Sequence, residues 1–272
     1  MKLKKENHQG FFSNLVALIK DNKLSFAVYM TLRIIVFAVL VRCAFNRQWE
    51  SVFVCVLTLL LFLLPPLIEK TFSVRLPTTL EIISFLFVFA AEILGEICCY
   101  YLKIPLWDTM LHTVNGFLFA AFGFCLVDIF NKSDKFKFQL SPVFLSIVAF
   151  CFSMTIGILW EFFEFSADLF LGTDMQKDFF ITAISSTALD SQMTNTPFLI
   201  EDIVCCTLHC SDGSVIVLNS YLDVGLLDTM KDLLVNFVGA LIFSVIGFFY
   251  VKHRGEGKIA KQFIPIYFEE EK

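Results

Sequence analysis

In the stretch WEFFEFSADLFLGTDMQKD, Glu161, Glu164 and Asp168 fall at i, i+3 and i+7. A helix would carry all three carboxylates within an arc of roughly 60°. The same kind of grouping recurs elsewhere in the chain. Glu92 and Glu96 are spaced i, i+4; Asp108 and His112 share one face of WDTMLHTVNG; Asp228, Asp232 and Asn236 line one stripe of LDTMKDLLVNFVGA. Carboxylates with one imidazole suit a divalent cation such as Mg²⁺, Mn²⁺, Zn²⁺ or Fe²⁺. Glu-x-x-Glu and Asp-x-x-x-His on facing helices are workable ligand geometry in a bundle core. On that reading Asp108, His112, Glu161 and Glu164 hold the metal. Asp228 or Asp232 completes the shell or acts as general base on a metal-bound water. Glu92, Glu96, Asp168 and Asn236 are further candidates.

Two other chemistries use the same residues. Paired acids can share a proton and titrate near neutrality, as a proton or cation path requires. Alternatively the acids only knit helices together. Asp108 and Asp228 are explained equally well as caps, because they fall at helix N-termini, where a carboxylate suits the free N–H groups and the dipole. Glu92, Glu96, Glu161, Glu164 and Asp168 are at helix C-terminal ends, where the dipole disfavours acids, so capping does not account for them.

The elements that must position these groups are apolar. Six segments, near 25–43, 50–68, 79–102, 108–130, 142–170 and 228–251, are long enough for a bilayer core, which takes about 20 residues. Fifteen of the 21 Lys and Arg fall in segments that share a side with the N-terminus. The positive-inside rule then places both termini in the cytoplasm and the acidic helix ends in the outer half of the membrane. The sequence therefore predicts an all-α polytopic membrane protein of six transmembrane helices with a small extracytoplasmic β-hairpin insertion. Residues 1–24 form a cytoplasmic N-terminus with an interfacial amphipathic helix, 25–172 spans one to five, and 173–227 the insertion. Span six covers 228–251, and 252–272 is a cytoplasmic tail. Within the insertion, IVCCTLHCSDGSVIVLNSYL places two β-branched runs around an Asp-Gly turn, a hairpin signal.

Composition supports this class. The chain is 57% hydrophobic and only 17% charged, where a soluble domain of 272 residues is nearer a quarter charged. A net charge of −5 without a basic stripe excludes a nucleic-acid partner. No Gly-rich phosphate loop, nucleophile elbow or Ser-His-Asp order is present, which argues against an ATP-driven pump. Cys205, Cys206, His209 and Cys210 are soft ligands close together, but on a strand Cys206 and His209 point to opposite faces. A disulfide or plain thiols fit that spacing better than zinc. Arg33, inside the first span, is expected to pair with Glu81 or Glu69 or to snorkel.

The order Asp-x-x-x-His, Glu-x-x-Glu, Leu-Gly-Thr, and Asp-x-x-x-Asp leading into Asn-x-x-Gly-Ala, over about residues 80–250, resembles the uncharacterised bacterial membrane proteins of the YjdF type. It is more distantly similar to the VanZ-like proteins. The resemblance implies a multi-pass protein of the bacterial cytoplasmic membrane, in a family without an established activity. The insertion at about 190–225 departs from the compact layout of both groups. The functional expectation is a metal-dependent site facing the outer leaflet that binds or acts on an envelope lipid or its headgroup, with the bilayer as the constant partner. A cation- or proton-linked transporter and a structural or partner-binding membrane protein are the alternatives. The nearly pure Phe, Ile, Leu and Ala content of the inner halves of spans four to six weighs against a transport path.

Overall fold

The structure, a computed structural model, describes residues 23–72, 74–132, 140–253, 260–264 and 266–267. The expected interfacial helix in the N-terminal segment and the acidic end of the C-terminal tail lie outside the described residues. The described chain divides into two compact units. One comprises residues up to Gly157 together with those from Leu234 onward, and the other is Ile158–Leu233.

Among the described residues, five helices are long and apolar enough to cross a membrane: Lys23–Phe45, Trp49–Thr71, Trp107–Asp128, Pro142–Leu171 and Leu226–Lys252. The first is α1. The second is made of two pieces, α2 (Trp49–Leu61) and α3 (Leu64–Phe72), with Pro65 and Pro66 in the opening turn of α3, where a missing N–H costs no helix bond. A two-residue strand, β1 (Val74–Arg75), follows. Its exit is held by Glu69, whose carboxylate accepts the Leu76 N–H at 2.6 Å. Arg33 donates instead to the Tyr29 hydroxyl and stacks 5.3 Å from the centre of that ring, so a helical neighbour satisfies it one turn away.

The segment expected as the third span is not one regular helix. It runs as α4 (Thr78–Phe89) and then as eight residues of π-helix, Ala90–Ile97. The Cys98 N–H reaches back five residues to the Ile93 carbonyl at 3.0 Å. Hydropathy reports apolar length, and a widened turn leaves no trace in it, so sequence periodicity could not show the change. Cys99, at φ 59°, ends the segment in the left-handed region. A single turn, α5 (Tyr100–Lys103), then leads to α6 (Trp107–Lys132), α7 (Pro142–Leu171) and α8 (Leu226–Lys252).

The first unit has two apolar cores. Tyr29, Val36, Cys55, Phe62, Phe85 and Ile93 join α1, α2, α4 and the π-helix, with Tyr29 and Phe62 each packed on the Phe85 ring. Leu80, Leu118, Phe124, Leu145, Ala149 and Phe243 join α4, α6, α7 and α8. At the second core α6 and α8 touch backbone to backbone. A Cβ on Gly116 would strike the Asn236 carbonyl, and one on Gly239 would strike the Thr113 carbonyl. Glycine at both contacts is what lets the helices approach this closely. Ser153 of α7 ties into the same contact by donating to the Gly116 carbonyl at 2.7 Å.

The second unit carries antiparallel two-stranded ladders between the helix ends. β2 (Phe180–Ile181) pairs with β7 (Tyr221–Leu222), β3 (Ile184–Ser186) with β4 (Phe198–Ile200), and β5 (Cys206–His209) with β6 (Val215–Leu218). Asp212 and Gly213, with Gly213 at φ 88°, lie in the turn between β5 and β6. In the first unit β1 pairs with β8 (Ile266–Tyr267). Cys205, Cys206 and Cys210 are free thiols, and Cys205 and Cys210 are exposed rather than packed.

Candidate functional site

In the first unit, Asp108 and His112 stand one turn apart at the start of α6. The imidazole Nε2 lies 3.5 Å from the Asp108 Oδ1. His112 is buried, and the Asp108 side chain is about a quarter exposed. The i, i+4 spacing and the first-turn position of Asp108 dictate this arrangement, because a carboxylate there meets the helix dipole favourably and reaches the next turn. The pair offers an imidazole nitrogen and carboxylate oxygens in one place.

Deeper along the same helix, the Asn115 amide donates to the Asn236 Oδ1 at 3.1 Å. Asn236 is fully buried, and its amide group also approaches the Met154 sulfur at 3.6 Å. A Cβ on Gly157 would come within 2.7 Å of the Asn236 Nδ2. Asn236 therefore knots α6, α7 and α8 together. Sequence spacing put Asn236 on the acidic stripe but gave no sign of Asn115 as its partner.

Glu92 and Glu96 both lie in the π-helix, Glu92 half-buried and Glu96 exposed.

The second unit holds Glu161, Glu164, Asp168, Asp228 and Asp232. On α7, Glu161 and Glu164 are buried, whereas Phe162, Phe163 and Phe165 are each more than half exposed. This helix end is inside out by the standard of a soluble protein: its acids point inward and its aromatics outward. A helix surrounded by hydrocarbon is expected to look this way. Asp168, at the end of the same arc, does something different. Its carboxylate accepts from the Thr173 hydroxyl at 2.7 Å, the Met175 N–H at 2.6 Å and the Gln176 N–H at 2.8 Å. Asp228 accepts the Lys177 N–H at 2.9 Å, and Asp223 accepts the N–H groups of Phe179 at 2.6 Å and Leu227 at 2.9 Å. Three carboxylates thus pin the strap 173–179 by its backbone.

Asp228 and Asp232 are both buried at the start of α8, with Lys231 reaching the first at 3.0 Å and the second at 3.5 Å. The Lys231 ammonium also lies 5.6 Å from the centre of the Phe179 ring. Neither Asp223 nor Lys231 stood out in the sequence. Asp223 precedes the helix by three residues, a capping position that an apolar span search passes over.

Outside the helices, Asp178 sits above its ordinary carboxylate range because it is partly desolvated and faces Asp174, Asp223 and Asp168. Asp190 and Asp212 sit below theirs, each held by hydrogen bonds led by a hydroxyl, from Thr194 and Ser214 respectively.

Residues 28–253, most of the chain, match the family described as predicted membrane protein, DUF2238. The chain belongs to this family. The match is compatible with the YjdF-type resemblance, and the five long apolar helices agree with a membrane protein. An uncharacterized protein of Thermotoga maritima is 28% identical over 107 residues, 39% of this chain and 53% of that protein. The chain thus spans about half the length of this curated relative. No solved structure matches.

Proposed function

We propose that this DUF2238 chain is a metal-dependent membrane protein whose acidic helix ends bind one divalent cation in the outer half of the bilayer. Asp108 and His112, one turn apart on α6, are its protein ligands. The observation that carries this reading is the Asp108–His112 pair, a buried imidazole 3.5 Å from a carboxylate at the start of an otherwise apolar helix. A carboxylate and an imidazole suit Zn²⁺, Mn²⁺ or Fe²⁺ and would leave coordination positions for water or a phosphate oxygen. Asp228, whose oxygens meet the Lys177 N–H and the Lys231 ammonium, orients the loop and the lysine.

The ligand that fits is the phosphate headgroup of an envelope lipid, because a bound cation would take phosphate oxygens and exposed phenylalanines on α7 suit a hydrocarbon surround. The six-span arrangement, with both termini cytoplasmic and the insertion outside, belongs to this reading and follows from the charge distribution.

Elemental analysis of the detergent-purified protein, beside Asp108→Asn and His112→Ala variants, tests it. One metal ion per chain is expected, lost in both variants while their helical circular dichroism persists. A metal-free native protein after incubation with Mn²⁺, Zn²⁺ or Mg²⁺ overturns the reading.

A further inference from the structure

Every ladder of the second unit is two-stranded, so among the described residues each of its strands leaves one edge unpaired. The edges are not equivalent. β5 and β6 form the longest ladder of this unit, four residues each, and β5 carries Thr207 and His209. β6 is Val-Ile-Val-Leu, with Val215, Ile216 and Val217 at 55%, 47% and 65% exposure. An exposed apolar edge without Lys, Pro or a bulge is a template for another strand, and folded proteins ordinarily protect such edges.

Charge selects what can bind there. Residues 173–227 hold seven acidic side chains against one basic residue, Lys177, which is itself engaged with Asp174. Asp212 opens the turn into β6 and accepts from both the Ser214 N–H at 2.9 Å and the Ser214 hydroxyl at 2.7 Å. A second copy would bring the same negative charge to the edge. A bilayer surface rich in anionic lipid would be repelled as well, and acyl chains offer nothing to the N–H and C=O groups of an edge. A chain with alternating apolar and basic side chains meets both requirements: backbone pairing supplies affinity and charge supplies selectivity.

We propose that the open edge of β6 is a docking site for an extended, basic and apolar segment of another protein, which adds as a third strand to the β5–β6 ladder. The site is independent of the metal reading.

The test uses the full chain in phosphatidylcholine nanodiscs and a fluorescent peptide alternating lysine and valine, followed by anisotropy. Binding is expected, and it weakens as salt rises. A peptide with glutamate in place of lysine binds at least about tenfold more weakly. N-methylation of the peptide nitrogens that face β6 abolishes binding, whereas methylation of the alternate nitrogens leaves it intact. Val217→Lys, at an exposed position, is expected to lower affinity about tenfold through like-charge repulsion, with circular dichroism unchanged. Absence of lysine-peptide binding, equal binding by both methylated peptides, or a dimer of the native chain that Val217→Lys dissociates would each overturn the proposal.

Discussion

Asp168 at the end of α7 and Asp108 at the start of α6 carry the same side chain in opposite circumstances. Asp168 stands where the helix dipole disfavours an acid, yet it takes three hydrogen bonds from residues 173–176, the chain that leaves the helix. Asp108 stands where the dipole favours it, and its neighbour is a buried imidazole. Position along a helix therefore does not tell a structural acid from a chemical one. The donors around it do. Asp168, Asp223 and Asp228 accept backbone N–H groups of the strap and of the α8 start, whereas the partner of Asp108 is a side chain that can itself bind a metal.

The largest effect expected from this contrast is the loss of Asp168. Asp168→Ala removes the acceptor of two backbone N–H groups and one hydroxyl at once, and charge-assisted bonds are worth about 1.5–3 kcal/mol each without being additive. A destabilisation of about 3 kcal/mol is expected in denaturant unfolding of the detergent-solubilised protein, with metal content unchanged. Metal loss in Asp168→Ala would place this residue with Asp108. Asp223→Ala removes two such acceptor bonds and is expected to cost about 2 kcal/mol by the same measurement.

An uncharged pair separates charge from burial. Asn115→Ala leaves the buried Asn236 Oδ1 without its amide donor, and an unmet buried acceptor costs about 1–2 kcal/mol. The change should fall below that for Asp168→Ala although Asn236 is the more deeply buried side chain. An equal or larger loss would show that the three-helix contact, rather than the strap, dominates stability.

Much of the architecture was legible because hydropathy and length are one-dimensional properties. The long apolar runs that became α1, α6, α7 and α8 could be seen in the residues alone. So could the inward arc of Glu161 and Glu164, since 3.6-residue periodicity converts spacing into direction. The π-helix at Ala90–Ile97 could not, because the backbone bond that shifts there carries no residue signature. The role of Asp168 was hidden for a related reason. Its partners are backbone N–H groups, which every non-proline residue possesses, so no side-chain pattern marks them. Asn115 was missed because its partner is 121 residues away.

The smallest expected effect has the opposite sign and concerns Asp178, an acid with neither an imidazole nor a lysine among the causes of its shift. Partial desolvation and the carboxylates of Asp174, Asp223 and Asp168 raise its folded-state pKa, against a weaker pull from the Gly225 N–H. A raised acid binds its proton more tightly in the folded chain than in the unfolded one, so its ionisation destabilises the fold at neutral pH. That penalty shrinks as pH falls through the raised folded value and is absent below the ordinary carboxylate value of 3.8. Asp178→Asn should therefore stabilise the protein at pH 7 by roughly 0.3 kcal/mol, the scale of a solvent-screened exposed charge interaction. At pH 3 the variant and the native protein should unfold alike. Destabilisation by Asp178→Asn at pH 7 would mean that the Gly225 N–H outweighs the three acids, which would place Asp178 with Asp168 among the carboxylates that hold the strap.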